Sequence, residues 1–153
     1  MKILIMGLPG SGKTYLAERL QPLLEAAWYN ADKVRGMAGD WDFSDSGRAR
    51  QSLRMKTFAD FESSHNRFVI CDFVCPTAET RKIFGPDIII WLDTIKEGRY
   101  EDTNAIFEAP VKYDFRITDW NDHSHEDIAK ELKKNVWLEK THCTNVRSMA
   151  TLA

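Results

Sequence analysis

Apolar positions follow two rhythms along the chain, and the rhythms alternate. Short apolar runs at Lys2–Met6, Ala27–Asn30, Phe68–Val74, Asp87–Asp93 and Tyr113–Thr118 read as five strands. The first, third and fourth are almost wholly apolar, as strands covered on both faces by helices should be. The second is short. The last alternates, with Tyr113, Phe115 and Ile117 on one side, and reads as an edge strand. Between these runs the apolar residues recur at helical spacing. A helix is expected from Lys13 to about Ala26, with Leu16, Leu20, Leu23 and Leu24 inward and Pro22 placed to kink it or end it early. A second spans about 46–63, with Met55, Phe58 and Ala59 at i, i+3 and i+4, and a short one fits Ala78–Ile83. The clearest helical start is Ser124, where Ser-His-Glu-Asp forms a capping-box-like sequence with Asp in the Glu place, followed by Ile128, Leu132 and Val136. Strands alternating with helices predict an α/β fold, a mostly parallel sheet of about five strands with helices on both faces.

One junction in this pattern carries chemistry. Between the first strand and first helix stand Gly7, Leu8, Pro9, Gly10, Ser11, Gly12, Lys13 and Thr14, a complete phosphate-binding loop in the strand–loop–helix context it needs. The sheet is therefore expected to be that of a P-loop NTPase. Loop amides and the helix N-terminus point positive dipole at an anion. Lys13 can reach the terminal phosphates of ATP, and the Thr14 hydroxyl can ligate magnesium.

Length and composition narrow the setting. A chain of 153 residues suits one domain with a real core. The pattern assigns it to 1–138, with a polar, irregular segment at about 94–110 that reads either as a flap over a phosphate site or as a surface loop. The tail at 139–153 has no usable period, as a disordered segment would have none. Net charge is -2, which gives no general pull toward nucleic acid or an anionic membrane. Arg48, Arg50, Arg54 and Lys56 do share one helix, and the favoured reading is a solvated face. Three cysteines, Cys71, Cys75 and Cys143, are too few and too odd in number for a disulfide framework, and suit a reducing compartment. No run reaches membrane-spanning length, and the chain opens on a strand, not a leader sequence. A cytoplasmic protein is expected.

The end of the second strand supplies candidate acceptor residues. Strand carboxyl ends border the ligand crevice in such sheets. Asp32 can orient metal-bound water or accept a hydroxyl proton, and Arg35 can hold an anion. Asp72, in the third strand, is a candidate second magnesium ligand or simply a charged strand end.

The ordered set of motifs resembles the adenylylsulfate kinase (APS kinase) family. Gly-Leu-Pro-Gly-Ser-Gly-Lys-Thr is followed by Ala31-Asp32-Lys33-Val34-Arg35 and by Asp42-Phe43-Ser44-Asp45-Ser46-Gly47-Arg48. Phe68-Val69-Ile70, Phe73-Val74-Cys75-Pro76 and Phe107-Glu108-Ala109-Pro110 complete the likeness over roughly residues 1–118. The resemblance implies a nucleotide-kinase-like sheet and phosphoryl transfer from ATP, with Mg2+, to the 3′-hydroxyl of adenylylsulfate. It implies Asp32 near metal and acceptor hydroxyl, Arg35 and Arg48 on the phosphosulfate, Phe43 on the acceptor adenine, and Gln51 in the place of a family Asn. It also implies a homodimer. The chain departs from the family at Asn30, where the family has its first Asp, at Cys75, at Asp72, and in a shorter, more acidic flap whose best remaining cation is Arg99. Two other readings stand beside this one. The enzyme class could be kept with another small anionic acceptor, a nucleotide or a nucleic-acid 5′-hydroxyl, nucleic acid being disfavoured. Alternatively, the chain is a non-catalytic nucleotide-binding module.

Overall fold

A computed structural model describes residues 1–136. It holds one five-stranded, wholly parallel sheet in the order β2-β3-β1-β4-β5. The strands are β1 (Lys2–Gly7), β2 (Ala27–Asn30), β3 (Val69–Asp72), β4 (Ile88–Leu92) and β5 (Phe115–Ile117). The helices are α1 (Lys13–Leu24), α2 (Ala31–Ala38), α3 (Asp45–Ser64), α4 (Ala78–Phe84) and α5 (Glu101–Ile106), and residues 125–136 are helical as well. The tail at 139–153 and Cys143 lie outside the described residues. Among the described residues, no helix is long and apolar enough to cross a membrane.

Central strand β1 shows why the sheet forms. Successive side chains of a strand point to opposite faces, and here both faces are apolar. Ile3 and Ile5 join Leu16, Leu20, Leu24, Ile128 and Leu132 on one side, whereas Leu4 and Met6 join Val34, Met55, Ala59 and Phe84 on the other. The sheet is thus sandwiched between α1 with the 125–136 helix and the α2–α3–α4 layer. β5 lies at the sheet edge as the alternation predicts, with Phe115 and Ile117 buried around an exposed Arg116.

Differences from the sequence reading have local causes. α1 runs past Pro22 but stops at Leu24, where Glu25 turns left-handed at φ 49 and its N–H reaches back to Gln21 and Pro22 carbonyls. A left-handed residue cannot continue a right-handed helix. β3 ends at Asp72, two residues short of the predicted Val74, and Cys75 takes φ 46. α2 and α5 are short helices hidden in stretches with weak apolar periodicity. Asn30 starts α2 by accepting from Lys33 N at 3.0 Å, a side-chain N-cap that the strand reading concealed. Phe58, expected inward, sits at the rim and stacks on Tyr29 with ring centroids 4.9 Å apart. At Ser124 the predicted cap forms, with Asp127 N donating to Ser124 Oγ at 3.1 Å.

Leu20 is fully buried between α1 and the sheet. Leu20→Ala is expected to lower stability by about 2–5 kcal/mol, a transfer loss plus a cavity. Urea titration checks this as a fall in midpoint at unchanged m value.

Candidate active site

The loop between β1 and α1 is shaped by glycine. Gly7 has φ 151, and a Cβ there would lie 2.5 Å from Leu92 O and 2.7 Å from Ser11 Oγ. Gly12 has φ 99, and a Cβ would lie 2.4 Å from Trp120 Cζ2. Any side chain at these two positions breaks the turn. Gly12 also N-caps α1 without a side-chain hydrogen bond, and the first turn of α1 holds no acid. The helix thus begins with uncapped N–H groups and an uncompensated positive dipole, which is the physical requirement for holding an anion.

A cavity of about 840 Å³ opens on this loop. Pro9, Gly10, Gly12, Lys13 and Thr14 line it from the loop, and Asp32, Arg35, Phe43, Arg48, Gln51, Asp72 and Arg99 line it from elsewhere. The fold therefore gathers these sequence candidates from five separate segments into one space. Gly7, Leu8 and Ser11 do not line it. Leu8 is buried, Ser11 N is spent on Leu8 O at 3.1 Å, and the Ser11 hydroxyl is buried with no hydrogen-bond partner among the described residues. These three shape the loop from beneath.

On the loop side, the charges are desolvated. Lys13 Nζ donates to Leu8 O at 3.0 Å. Burial pulls its ammonium pKa down to about 8, with Asp72 and Asp32 opposing the shift and Arg99 adding to it. Asp72 has only 2% of its surface exposed. Burial raises its pKa, and three donors resist that rise. They are Trp28 Nε1 on Oδ1 at 2.8 Å, and Asn30 Nδ2 and Thr14 Oγ1 on Oδ2 at 2.9 and 3.0 Å. Asp72 is thus a built, buried carboxylate beside the loop threonine, not a solvated strand end.

On the opposite side lie the arginines. Arg35, in the last turn of α2, is buried and donates through Nη1 to Asp40 O and Asp42 O at 2.9 and 3.0 Å. Burial lowers its pKa while Asp40 opposes. Arg48 donates through Nε to Phe43 O at 2.8 Å and through Nη2 to Asp102 Oδ2 at 3.0 Å. Both guanidiniums attend the half-exposed Phe43 ring, 4.6 and 5.6 Å from its centroid. Gln51 is buried and donates to Ala31 O at 3.1 Å, so its amide braces the start of α2. The neighbouring basic residues are paired: Arg50 and Arg54 with Asp40, and Lys56 with Asp60. That pairing matches a solvated, neutralised face.

Segment 94–110 closes the third side, and α5 lies within it. Thr94 Oγ1 donates to Ser11 O at 2.7 Å. Asn104 clamps Gly98 with two hydrogen bonds at 2.8 and 2.9 Å. Arg99 and Tyr100 face the cavity, with the guanidinium 5.7 Å from the Tyr100 ring centroid. Sequence reasoning missed Trp28, Tyr100, Asp102 and Trp120. The last packs edge-on to Tyr15 at 5.0 Å, above Gly12. None of the four stands in a motif: folding brings Tyr100 and Asp102 to the cavity wall, Trp28 onto Asp72 and Trp120 against the loop.

The Adenylylsulphate kinase family model matches residues 1–86. A probable adenylyl-sulfate kinase of Aeropyrum pernix is 34% identical over 88 residues, which cover 52% of this chain and 46% of that protein. The chain thus spans about half the length of that curated relative. Among solved structures, the Mycobacterium tuberculosis APS kinase in complex with AMPPNP and APS superposes with a TM-score of 0.65 at 22% identity, covering 87% of this chain and 95% of that one. A shikimate kinase of Aquifex aeolicus superposes with a TM-score of 0.56 at 17% identity, covering 92% and 99%. Both likenesses are of fold.

The Lys13 geometry has a measurable consequence. Its lowered pKa means that the charged ammonium is disfavoured by folding. Below about pH 8 it opposes stability. Between about 8 and the ordinary 10.5 the folded protein sheds a proton that the unfolded chain keeps, so wild-type stability gains with pH. Lys13→Met is expected to be more stable than wild type at pH 7, with the difference shrinking across that window, as read from urea midpoints against pH. Affinity for a polyphosphate anion is expected to fall as pH rises through about 8 in wild type alone.

Proposed function

The chain belongs to the adenylylsulphate kinase family, and we propose that it transfers the γ-phosphoryl group of ATP to the 3′-hydroxyl of adenylylsulfate, giving 3′-phosphoadenylylsulfate. One observation carries this reading. A phosphate loop, a buried carboxylate at the end of β3, two arginines around an open aromatic ring and a flap cation all meet in one cavity. Phosphoryl transfer asks mainly for positioning and charge neutralisation, and these residues supply both.

On the donor side, the loop amides and Lys13 hold the β- and γ-phosphates. The oxygen donors Thr14 and Asp72 fit magnesium, which takes one or two protein oxygens and fills its shell from phosphates and water. Among the described residues, no group of three or more His, Cys, Asp or Glu could hold a metal ion. Magnesium held at Thr14 and Asp72 with ATP would neutralise phosphate charge. Asp32, in the first turn of α2, orients the attacking hydroxyl.

On the acceptor side, Arg35 and Arg48 face the phosphosulfate, Phe43 offers a flat face to the adenine, and Gln51 holds α2 in place. The acceptor oxygen bonds to the γ-phosphorus as the bond to the β-bridging oxygen breaks, the hydroxyl proton passes to Asp32, and ADP leaves. Arg99 meets the charge on the transferred group from the flap. Buried free thiols at Cys71 and Cys75 suit the reducing cytoplasm, and the working unit is read as a single kinase domain with a flap, assembled as a homodimer.

Labelled ATP with a panel of acceptors tests the reading. Adenylylsulfate is expected to be labelled far ahead of a sugar, another nucleotide or a nucleic-acid 5′-hydroxyl. Label on a different acceptor reassigns the substrate, and ATP binding with no transfer to any acceptor points to a binding module. Within the active enzyme, Lys13→Ala is expected to abolish transfer. Arg48→Ala is expected to raise the acceptor KM by about 10- to 100-fold, on the order of 1.5–3 kcal/mol for a charge-assisted contact, with the ATP KM little changed.

A further inference from the structure

The carboxyl ends of β2 and β3 present an amide and an acid side by side. Asn30 and Asp72 are register partners in the parallel ladder. Asn30 Nδ2 donates to Asp72 Oδ2 at 2.9 Å, Thr14 Oγ1 donates to the same oxygen at 3.0 Å, and Asn30 Nδ2 lies 3.4 Å from Thr14 Oγ1. The loop threonine is therefore within reach of both strand ends. The remaining oxygen atoms are also held. Asp72 Oδ1 accepts from Trp28 Nε1 at 2.8 Å, and Asn30 Oδ1 accepts from Lys33 N at 3.0 Å.

We infer that Asn30 and Asp72 form one acid–amide unit facing Thr14, in which either strand can carry the carboxylate, and that Trp28 and Asn30 are positioning residues that hold it on β3. This rests on the reading of Thr14 and Asp72 as the magnesium-facing pair. The partner inventory supports exchangeability. In the double variant Asn30→Asp/Asp72→Asn, the amide at position 72 still accepts from Trp28 through its oxygen. Its nitrogen donates to the carboxylate at position 30. That carboxylate takes over the Lys33 N–H, at a helix start where negative charge is favoured, and the Thr14 hydroxyl turns to its second oxygen. No donor or acceptor is orphaned.

The single changes lack this balance. Asp72→Asn removes the negative charge facing Lys13 and Thr14. Asn30→Asp sets two carboxylates at hydrogen-bond distance, where like charges repel. A double-mutant cycle therefore reads the unit directly.

The experiment uses the full chain in four forms: wild type, the two single variants and the double variant. Mn2+ affinity is measured by electron paramagnetic resonance in the presence of a non-hydrolysable ATP analogue, and melting temperature without metal or nucleotide. Asp72→Asn is expected to weaken Mn2+ binding by about 10- to 100-fold. Asn30→Asp is expected to lower the metal-free melting temperature by several degrees. The double variant is expected to regain Mn2+ affinity to within about tenfold of wild type and to recover the lost melting temperature. A double variant that binds Mn2+ no better than Asp72→Asn overturns the inference, as does unaltered binding in Asp72→Asn. Should the double variant fail to fold, Trp28→Phe decides. It is expected to weaken Mn2+ binding several-fold, and the Trp28 indole N–H resonance is expected to move in Asp72→Asn; no change in either overturns the inference. Transfer of label to adenylylsulfate by wild type is scored separately, so loss of the substrate reading and loss of the exchange unit give different results.

Discussion

Asp72 sits with 2% of its surface exposed at the end of a buried strand, and a carboxylate so placed keeps its charge only if the protein replaces the water it has lost. The structure does so with three donors from two elements, namely Trp28 and Asn30 in β2 and Thr14 in α1. That requirement fixes much else. It holds β2 and β3 in register at their ends, anchors the first turn of α1 to the sheet, and sets the Asn30 side chain where its oxygen caps α2. Because α2 carries Asp32 and Arg35, the acceptor side of the cavity is oriented from the same point.

Opposed burial shifts describe the donor side. Burial drives Lys13 toward its neutral form and Asp72 toward its protonated form, while each favours the charge on the other. A site held in that tension is short of stabilising partners for its cation, which a polyphosphate would supply. Such desolvated ionisable groups cluster where proteins do chemistry. The uncapped start of α1 adds to the same field without any side chain.

Segment 94–110 is tied to the walls of the cavity at two points and braced within itself. Thr94 bonds the phosphate loop, Asn104 clamps Gly98, and Asp102 pairs with Arg48. The last contact gives Arg48 a carboxylate partner. Buried cations need such partners, and Arg48 has only 10% of its side chain exposed. An acceptor anion bound as proposed would address the same guanidinium as Asp102.

Much of this protein is determined locally. The spacing Gly7, Gly10, Gly12, Lys13, Thr14 specifies the phosphate loop because its glycines meet backbone demands that no other residue meets. The alternation of buried runs and helical stripes specifies the parallel sheet because both faces of β1 must be covered. Those constraints act over a few residues and are legible without a structure. Asp72 was ambiguous from sequence, as ligand or strand-end charge, because its three donors lie up to 58 residues away along the chain. The short helices α2 and α5 were missed because their stability comes from a cap and from packing, not from periodicity. The pairing of Arg48 with Asp102, the indole of Trp28 on the acid, and Trp120 against Gly12 exist only once distant segments fold together. Tertiary structure decides them because hydrogen bonding and desolvation depend on distance in space, which sequence order does not encode.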